Sequence, residues 1–242
     1  MTLPQRLDPL DFFDVPPDEE LPSYEPPSAP EYQRVDSDAP LHTYHLRQDH
    51  RKLQTFVPLE PATSAVHRVA ARGGLFSKKP DLQLLRASTE QAPEKHVASI
   101  YFDNDGPLPW CPRAHFTHTG AAVPITHTME AKNFQDWTLQ IRGVTYAWVV
   151  EGKPVGVALC EMTSHAVAAR FTYSRCGTRA ARGMDVGELV VYRDDLSLSE
   201  EGVEKILCGL MVAIVNLKKM GRHYWNDAPV GGRAVAGRPL RV

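Results

Sequence analysis

A single apolar segment near the C-terminus, Ile206–Leu217 (ILCGLMVAIVNL), limits the possible folds of this chain more than any other feature. Only Asn216 interrupts it, so a helix formed by this segment would be apolar on every side. Such a helix has to be buried on every side, either in lipid or inside protein. The segment is twelve residues long, whereas a membrane span needs about 20 apolar residues. We therefore expect the rest of the protein to enclose this helix.

The residues around the apolar segment are typical of helix ends. Ser197 and Glu200 fit the S-x-x-E capping box, in which two side chains satisfy backbone amides at a helix start. Lys218 and Lys219 would form a cationic last turn before a glycine. These signals predict a helix over about residues 199–221.

Short segments of alternating apolar and polar residues come before the helix and predict β-strands. The clearest form a meander of consecutive hairpins, with tight turns at Arg142-Gly143 and at Glu151–Pro154. Its strands are predicted at 137–141, 144–150, 155–159 and 167–173. Weaker candidates are 42–47, 53–58, 65–71, 82–87, 97–103, 114–118, 123–130 and 188–192. About twelve short strands followed by one helix indicate a mainly β fold.

The first forty residues differ in composition from the rest. They contain ten acidic residues, two basic residues and nine prolines, so they have too little apolar surface to offset the entropy of ordering. We expect residues 1–40 to be a disordered acidic tail and residues 41–225 to be the folded domain. Residues 226–242 would form a flexible basic tail, held at its start by Tyr224 and Trp225.

The order of these elements resembles the tubby C-terminal-like fold. The resemblance rests on the meander WTLQIRGVTYAWVVEGKPVGVAL, the strand GELVVY and the helix EEGVEKILCGLMVAIVNLKKM, and it covers about residues 41–225. The fold is shared by tubby proteins, LURP-one-related plant proteins, phospholipid scramblases and fungal domains. The chain continues for twenty-one residues beyond the predicted helix, which favours the fungal or LURP-like branch. The resemblance implies a closed antiparallel barrel of about twelve strands around a central helix.

Two short basic clusters are candidates for binding anions. Arg175, Arg179 and Arg182 lie in one glycine-containing loop, and guanidinium groups bind phosphate through paired hydrogen bonds. The second cluster consists of Lys78 and Lys79 together with Arg72. The residues alone leave open a simpler role, in which the loop only keeps the barrel soluble. The resemblance implies a site for an anionic phospholipid headgroup at these residues.

The N-terminal tail contains a short recognition motif. Leu21, Pro22, Ser23 and Tyr24 match the L/P-P-x-Y form that WW domains bind as a polyproline II segment. A chance match within a proline-rich segment is the alternative. The motif predicts a WW-domain partner, for example a ubiquitin ligase.

The histidine-rich segment after residue 110 gives little indication of a metal site. Cys111, His115, His118 and His127 lack the paired spacing of structural zinc sites. His115 and His118 would point to opposite faces of a strand. His127 shares the face of apolar residues, so we expect it to be a hydrogen-bonded core histidine.

Motif searches predict neither a catalytic site nor a cofactor. The sequence has no G-x-S-x-G, G-x-G-x-x-G, P-loop or H-E-x-x-H motif. It also lacks the basic helix that would predict nucleic-acid binding. The chain shows no secretory signal, and its cysteines (Cys111, Cys160, Cys176 and Cys208) are far apart. We therefore expect a cytoplasmic protein without a transmembrane segment.

Taken together, these features predict a non-enzymatic adaptor. Its barrel would bind anionic phospholipid at the inner membrane surface, and its tail would recruit a WW-domain partner. Two alternatives stay open. One is a small-ligand carrier or an enzyme that uses the barrel mouth, and the other is a barrel that only binds proteins.

Overall fold

The computed structural model describes residues 39–60, 65–71, 80–89, 91–108, 111–120, 123–132, 136–219 and 223–226. Residues 1–38 of the predicted acidic tail and residues 227–242 of the basic tail lie outside these ranges, so the predictions about their disorder stay untested.

Twelve strands form one closed antiparallel barrel in the described part of the chain. The strands are β1 (Pro40–His50), β2 (Leu53–Pro58), β3 (Val66–Ala71), β4 (Leu82–Ala87), β5 (Lys95–Leu108), β6 (Cys111–His118), β7 (Ile125–Lys132), β8 (Asp136–Ile141), β9 (Val144–Gly152), β10 (Val155–Glu161), β11 (Val167–Tyr173) and β12 (Met184–Tyr192). Each strand pairs with its neighbours in sequence, and β12 pairs with β1 to close the ring. The closed barrel that the sequence predicted is confirmed, and it leaves no open sheet edge.

Every second side chain along a strand points into the barrel and contributes to its interior. In β8, Trp137, Leu139 and Ile141 are buried while the residues between them are at least partly exposed. The turn to β9 is tight because Arg142 and Gly143 both adopt a positive φ, of 50° and 82°. This backbone shape matches the twist of the two flanking strands, as in other two-residue hairpins.

A single helix in the described chain, α1 (Glu200–Lys219), fills the barrel. Every residue from Gly202 to Ile214 is buried, so the helix is covered on all sides over more than three turns. Gly209 lies so close to the wall that an added Cβ would come within 2.7 Å of the indole nitrogen of Trp148. The predicted enclosed helix is therefore confirmed, with bounds within two residues of those expected.

The predicted helix start is wrong in one detail. The N-terminal cap is Ser199, whose hydroxyl accepts a hydrogen bond from Gly202 N at 3.1 Å. Ser197 lies in the preceding turn, where its hydroxyl donates to the carbonyl of Tyr192. The hydroxyl of Ser197 is thus used to shape the connection from β12.

Because consecutive strands run in opposite directions, their connections alternate between two ends of the barrel. The arginine end comprises the connections at 51–52, 153–154 and 174–183 and the C-terminus of α1. The glutamate end comprises the connections at 142–143, 162–166 and 193–199 and the N-terminus of α1. No helix in the described chain has both the length and the apolar character that a membrane crossing requires.

Candidate functional site

The loop at 174–183 presents the three arginines that the sequence singled out. Arg175, Arg179 and Arg182 are all exposed, and a short 3-10 turn spans Gly177–Arg179. Among the residues that the structure describes, none of the three forms an ion pair with a carboxylate. The loop therefore offers three guanidinium groups whose hydrogen-bonding edges are available to an anion.

Hydrogen bonds hold this loop at both ends, so its backbone is more fixed than the glycines in its sequence suggest. The hydroxyl of Ser174 accepts from the amides of Cys176 and Gly177, both at 3.1 Å, and donates to the carbonyl of Asp185 at 2.5 Å. The amide of Gly183 donates to the carbonyl of Gln48 at 2.7 Å. The barrel therefore fixes the backbone of the loop that carries the arginines.

The short segment 223–226 runs across the loop and braces it. Tyr224 N donates to the hydroxyl of Thr178 at 3.1 Å, and Thr178 N donates back to the carbonyl of Tyr224 at 3.0 Å. The ring of Tyr224 stacks on Tyr173, with 5.4 Å between the ring centroids. The amide group of Asn226 donates to the carbonyls of Val155 and Tyr173. The start of the C-terminal tail is therefore held against the barrel at Tyr224, as expected from the sequence.

Gly177 makes this close approach possible. Its φ is +48°, and an added Cβ would lie 1.8 Å from the carbonyl oxygen of Tyr224. A side chain at this position would push the segment 223–226 away from the loop.

Two exposed apolar side chains lie next to the arginines, one from the segment 223–226 and one from β12. Trp225 is 42% exposed, and the guanidinium carbon of Arg179 lies 5.1 Å from the centroid of its ring. Met184, at the start of β12, is 44% exposed. We call the set Arg175, Arg179, Arg182, Met184 and Trp225 the arginine surface. It combines cationic groups with an exposed aromatic and a flexible apolar side chain.

The other predicted binding residues lie outside the described residues. They are Leu21, Pro22, Ser23 and Tyr24 of the WW motif and Lys78 and Lys79 of the second basic cluster. The strand ends that flank the lysines, Ala71 and Leu82, are at the arginine end of the barrel.

At the glutamate end, sequence reasoning missed a buried ionic cluster. Glu204 projects from the second turn of α1 and is 1% exposed. Its Oε2 atom lies 2.5 Å from Nε2 of His118 on β6, and its Oε1 atom lies 3.0 Å from Nη1 of Arg86 on β4. Nε2 of His67 on β3 lies 3.7 Å from the same Oε1 atom. One carboxylate thus links the central helix to three strands.

The charge state of Glu204 follows from these contacts. Burial alone would raise the pKa of this carboxyl group, but its contacts with His118 and His67 and the charge of Arg86 lower the pKa to about 2. Glu204 is therefore ionised at neutral pH, and an ionised buried group has to be paired. The rim residue Glu200 lies 2.5 Å from the same guanidinium group of Arg86.

The histidines divide as the strand alternation predicted. His115 is partly exposed and stacks on Tyr101, with 4.9 Å between ring centroids, whereas His118 faces the interior. His127 is buried, and its Nδ1 atom lies 3.4 Å from the carbonyl of Gln140, as expected for a core histidine. The side chain of Cys111 lies outside the described residues. Within the described ranges, no three His, Cys, Asp or Glu side chains are grouped so that they could hold a metal ion.

Comparisons with protein families, with curated proteins and with solved structures found no match to this chain.

Proposed function

We propose that this protein binds anionic phospholipid headgroups through the arginine surface and acts as a membrane-peripheral adaptor. The observation that carries the proposal is the grouping in one braced loop of three exposed arginines, none of which pairs with a carboxylate of the described residues. A guanidinium group that has no internal partner is free to form two parallel hydrogen bonds with a phosphate.

Trp225 and Met184 favour a membrane surface over a free phosphate ion. Tryptophan is enriched at membrane interfaces because its ring is apolar while its indole N–H can still hydrogen-bond. Both side chains are more than two-fifths exposed beside the arginines. A soluble anion would need the charges but would gain nothing from the apolar groups.

The rest of the arginine end adds positive charge. Among the described residues, the exposed basic residues at this end are Arg51, Lys52, Lys153, Arg175, Arg179, Arg182, Lys218 and Lys219, and the exposed acidic residues are Asp81, Asp136 and Asp185. Each basic residue close to an anionic membrane contributes about 1 kcal/mol of attraction at physiological salt. The three arginines of the loop would therefore contribute roughly 3 kcal/mol.

Vesicle flotation of the full chain tests the proposal. Vesicles of phosphatidylcholine alone are compared with vesicles that also contain phosphatidylserine or phosphatidylinositol bisphosphate. We expect binding to the anionic vesicles, weakening as salt rises because exposed charges are screened. The variant R175Q/R179Q/R182Q should lose most of this binding.

A charge-matched variant distinguishes binding at the arginine surface from an effect of the net charge of the protein. K95Q/R142Q/R193Q removes three exposed basic groups at the glutamate end and should bind anionic vesicles as the wild-type protein does. Equal loss of binding in both triple variants would show that the overall charge of the protein, and not the arginine surface, causes the binding. Absence of binding at low salt would contradict the proposal.

The adaptor role also depends on the N-terminal motif. In the proposed arrangement, Leu21, Pro22, Ser23 and Tyr24 bind a WW domain while the barrel rests on the membrane. Tyr24→Ala should abolish capture of the chain by an immobilised WW domain, while Tyr32→Ala, a tyrosine outside the four-residue motif, should not. Capture that survives Tyr24→Ala would show that this motif is not the segment that binds the WW domain.

A further inference from the structure

Exposed apolar side chains are concentrated at the glutamate end of the barrel. In the described chain, seven large apolar side chains are more than two-fifths exposed. Because the connections alternate, those after β2 and β6 lie at the glutamate end together with those after β10 and β12. Five of the seven side chains are in these connections or beside them, namely Leu59, Val123, Ile125, Met162 and Leu198. Apolar side chains scattered singly over a surface need no explanation, but a group at one end indicates a binding surface.

A pocket lies between two of these side chains. Its volume is about 240 Å³, and its walls come from β1, from the start of β3 and from the start of α1, with Ala65, Leu198 and Val203 among the lining residues. Leu59 directly follows β2, the strand between β1 and β3. Sites for small ligands usually have volumes of about 300–1,000 Å³. This pocket is therefore better suited to a protein side chain than to a separate ligand.

The pocket and the side chains next to it make the surface complementary to itself. Leu198 is 63% exposed and Leu59 is 60% exposed, so both project beside the pocket. A projection and a depression on one surface fit a second copy of that surface about a two-fold axis, because each projection then enters the depression of the other copy. A second copy of this chain is thus a partner whose shape is already present.

The charges at this end also permit two copies to face each other. Among the described residues, the exposed charged ones here are Lys95, Arg142, Arg193, Glu60, Glu94, Asp195 and Glu200. The two signs nearly balance and are interspersed, so two such surfaces are not repelled. The arginine end has eight exposed basic residues against three acidic ones, so two copies would repel each other there. An anionic membrane or a nucleic acid would gain no attraction at the glutamate end.

The end face has the area that a stable dimer needs. Twelve strands, about 4.8 Å apart and tilted by about 40°, form a ring roughly 24 Å across at the backbone. With the side chains of the rim, the end covers roughly 700–900 Å². A specific interface uses about 800 Å² of each partner.

We propose that two copies of this chain associate through their glutamate ends about a two-fold axis, with Leu198 of each copy packed into the pocket of the other. The sequence left protein binding by the barrel as an alternative, and this proposal names the partner. The arginine surface lies at the other end and stays uncovered in the dimer. The association therefore does not depend on lipid.

Sedimentation equilibrium of the full chain without lipid is the first test. We expect a concentration-dependent equilibrium between monomer and dimer, with no larger species, because a two-fold interface closes on itself. A monomer at every concentration from nanomolar to submillimolar would overturn the proposal. A series of larger oligomers would also overturn it, because it would require a contact between unlike surfaces.

Two matched variants locate the interface. Leu198→Asp places a charge at the centre of the proposed contact in both copies and should raise the dissociation constant of the dimer at least tenfold. Met184→Asp makes the same type of change at an exposed apolar residue of the arginine end and should leave the dissociation constant unchanged. Both positions are exposed, so both variants should fold, and near-ultraviolet circular dichroism checks this. An unchanged dimer in Leu198→Asp, or equal losses in the two variants, would contradict the proposal.

A mixing experiment tests whether Leu198 enters the pocket of the other copy. Ala65→Leu narrows the pocket, and Leu198→Ala shortens the side chain that enters it. In a mixed dimer, the full-length leucine meets the full pocket and the short side chain meets the narrowed pocket. Native mass spectrometry of an equal mixture, in which the two variants differ in mass, should therefore show more mixed dimers than random pairing gives. Random pairing of folded variants would contradict the proposed packing, and the Leu198→Asp and Met184→Asp variants decide the question if Ala65→Leu does not fold.

Discussion

The two ends of the barrel use charged side chains in opposite ways. At the glutamate end, Glu204 is buried and surrounded by Arg86, His67 and His118. At the arginine end, the guanidinium groups of the 174–183 loop are exposed and have no carboxylate partner in the described chain. The first arrangement ties elements of the fold together, whereas the second leaves charge available to another molecule.

Burial determines whether a charged side chain contributes mainly to the stability of the fold or mainly to binding. Removing one member of a buried ion pair leaves a buried charge without a partner, which lowers the free energy of unfolding by roughly 3–5 kcal/mol. Exposed charges contribute roughly 0–1 kcal/mol to folding even when they are paired. The glutamate end should therefore respond to substitution through stability, and the arginine end through binding.

The largest effect is expected in the helix that joins the two ends. Ile214 is 4% exposed inside the barrel, so Ile214→Asp would place an unpaired charge in an apolar interior and should abolish the folded state. Lys218→Asp adds the same side chain at an exposed position of the helix and should cost about 1 kcal/mol or less. Circular dichroism and urea unfolding compare the two variants. A cooperative, wild-type-like unfolding curve for Ile214→Asp would contradict the enclosed helix.

The next effect concerns the buried cluster itself. Glu204→Gln keeps the shape of the side chain but removes the charge that Arg86, His67 and His118 surround, and it should destabilise the fold by roughly 3–5 kcal/mol. Urea unfolding at neutral pH measures the change. Glu188→Gln, a half-buried glutamate on the outside of β12, is the control and should change stability by less than about 1 kcal/mol. Similar losses in the two variants would remove the distinction between buried and exposed carboxylates.

Acid should weaken the glutamate end specifically. The folded-state pKa of Glu204, about 2, is below its usual value of 4.5, so its ionised form stabilises the fold at higher pH. This contribution is complete above pH 4.5 and is lost as pH falls towards 2. The stability difference between wild type and Glu204→Gln should therefore shrink between pH 5 and pH 2. A difference that stays constant over this range would mean that the carboxylate is not held in its ionised form.

The smallest effect on stability is expected at the arginine end. The triple variant R175Q/R179Q/R182Q removes exposed groups with no ion-pair partners in the described chain, so each substitution should change the free energy of unfolding by less than about 0.5 kcal/mol. The same variant should lose most of its binding to anionic vesicles. Thermal unfolding and flotation of one preparation make the comparison. A large drop in melting temperature would show that the arginines support the fold.

The fold was largely predictable because its signals are local. Alternation in Trp137–Ile141, the turn at Arg142-Gly143 and the apolar stretch from Ile206 are each readable within a few residues. The helix start was less predictable, because Ser197 and Ser199 both suit a cap and only the path from β12 decides between them.

The candidate sites differ in the same respect. The arginines of the 174–183 loop are close together in the sequence, so their grouping could be predicted from it. The Glu204 cluster could not, because its members come from β3, β4, β6 and α1 and meet only when the barrel closes. The available signal was the pair of charged residues at 204 and 205, inside the predicted helix and directly before its apolar segment. Both are at most 2% exposed.

Quenching of Trp225 by brominated lipids tests most directly that the arginine end is the surface that meets the membrane. Trp225 is 42% exposed, whereas Trp137 and Trp148 are buried within the barrel. The fourth tryptophan, Trp110, is replaced by phenylalanine in every sample. We predict that anionic vesicles with brominated acyl chains quench the fluorescence of Trp110→Phe and that adding Trp225→Phe removes this quenching. Vesicle binding without quenching, or quenching that persists after both substitutions, would contradict the assignment of the arginine end.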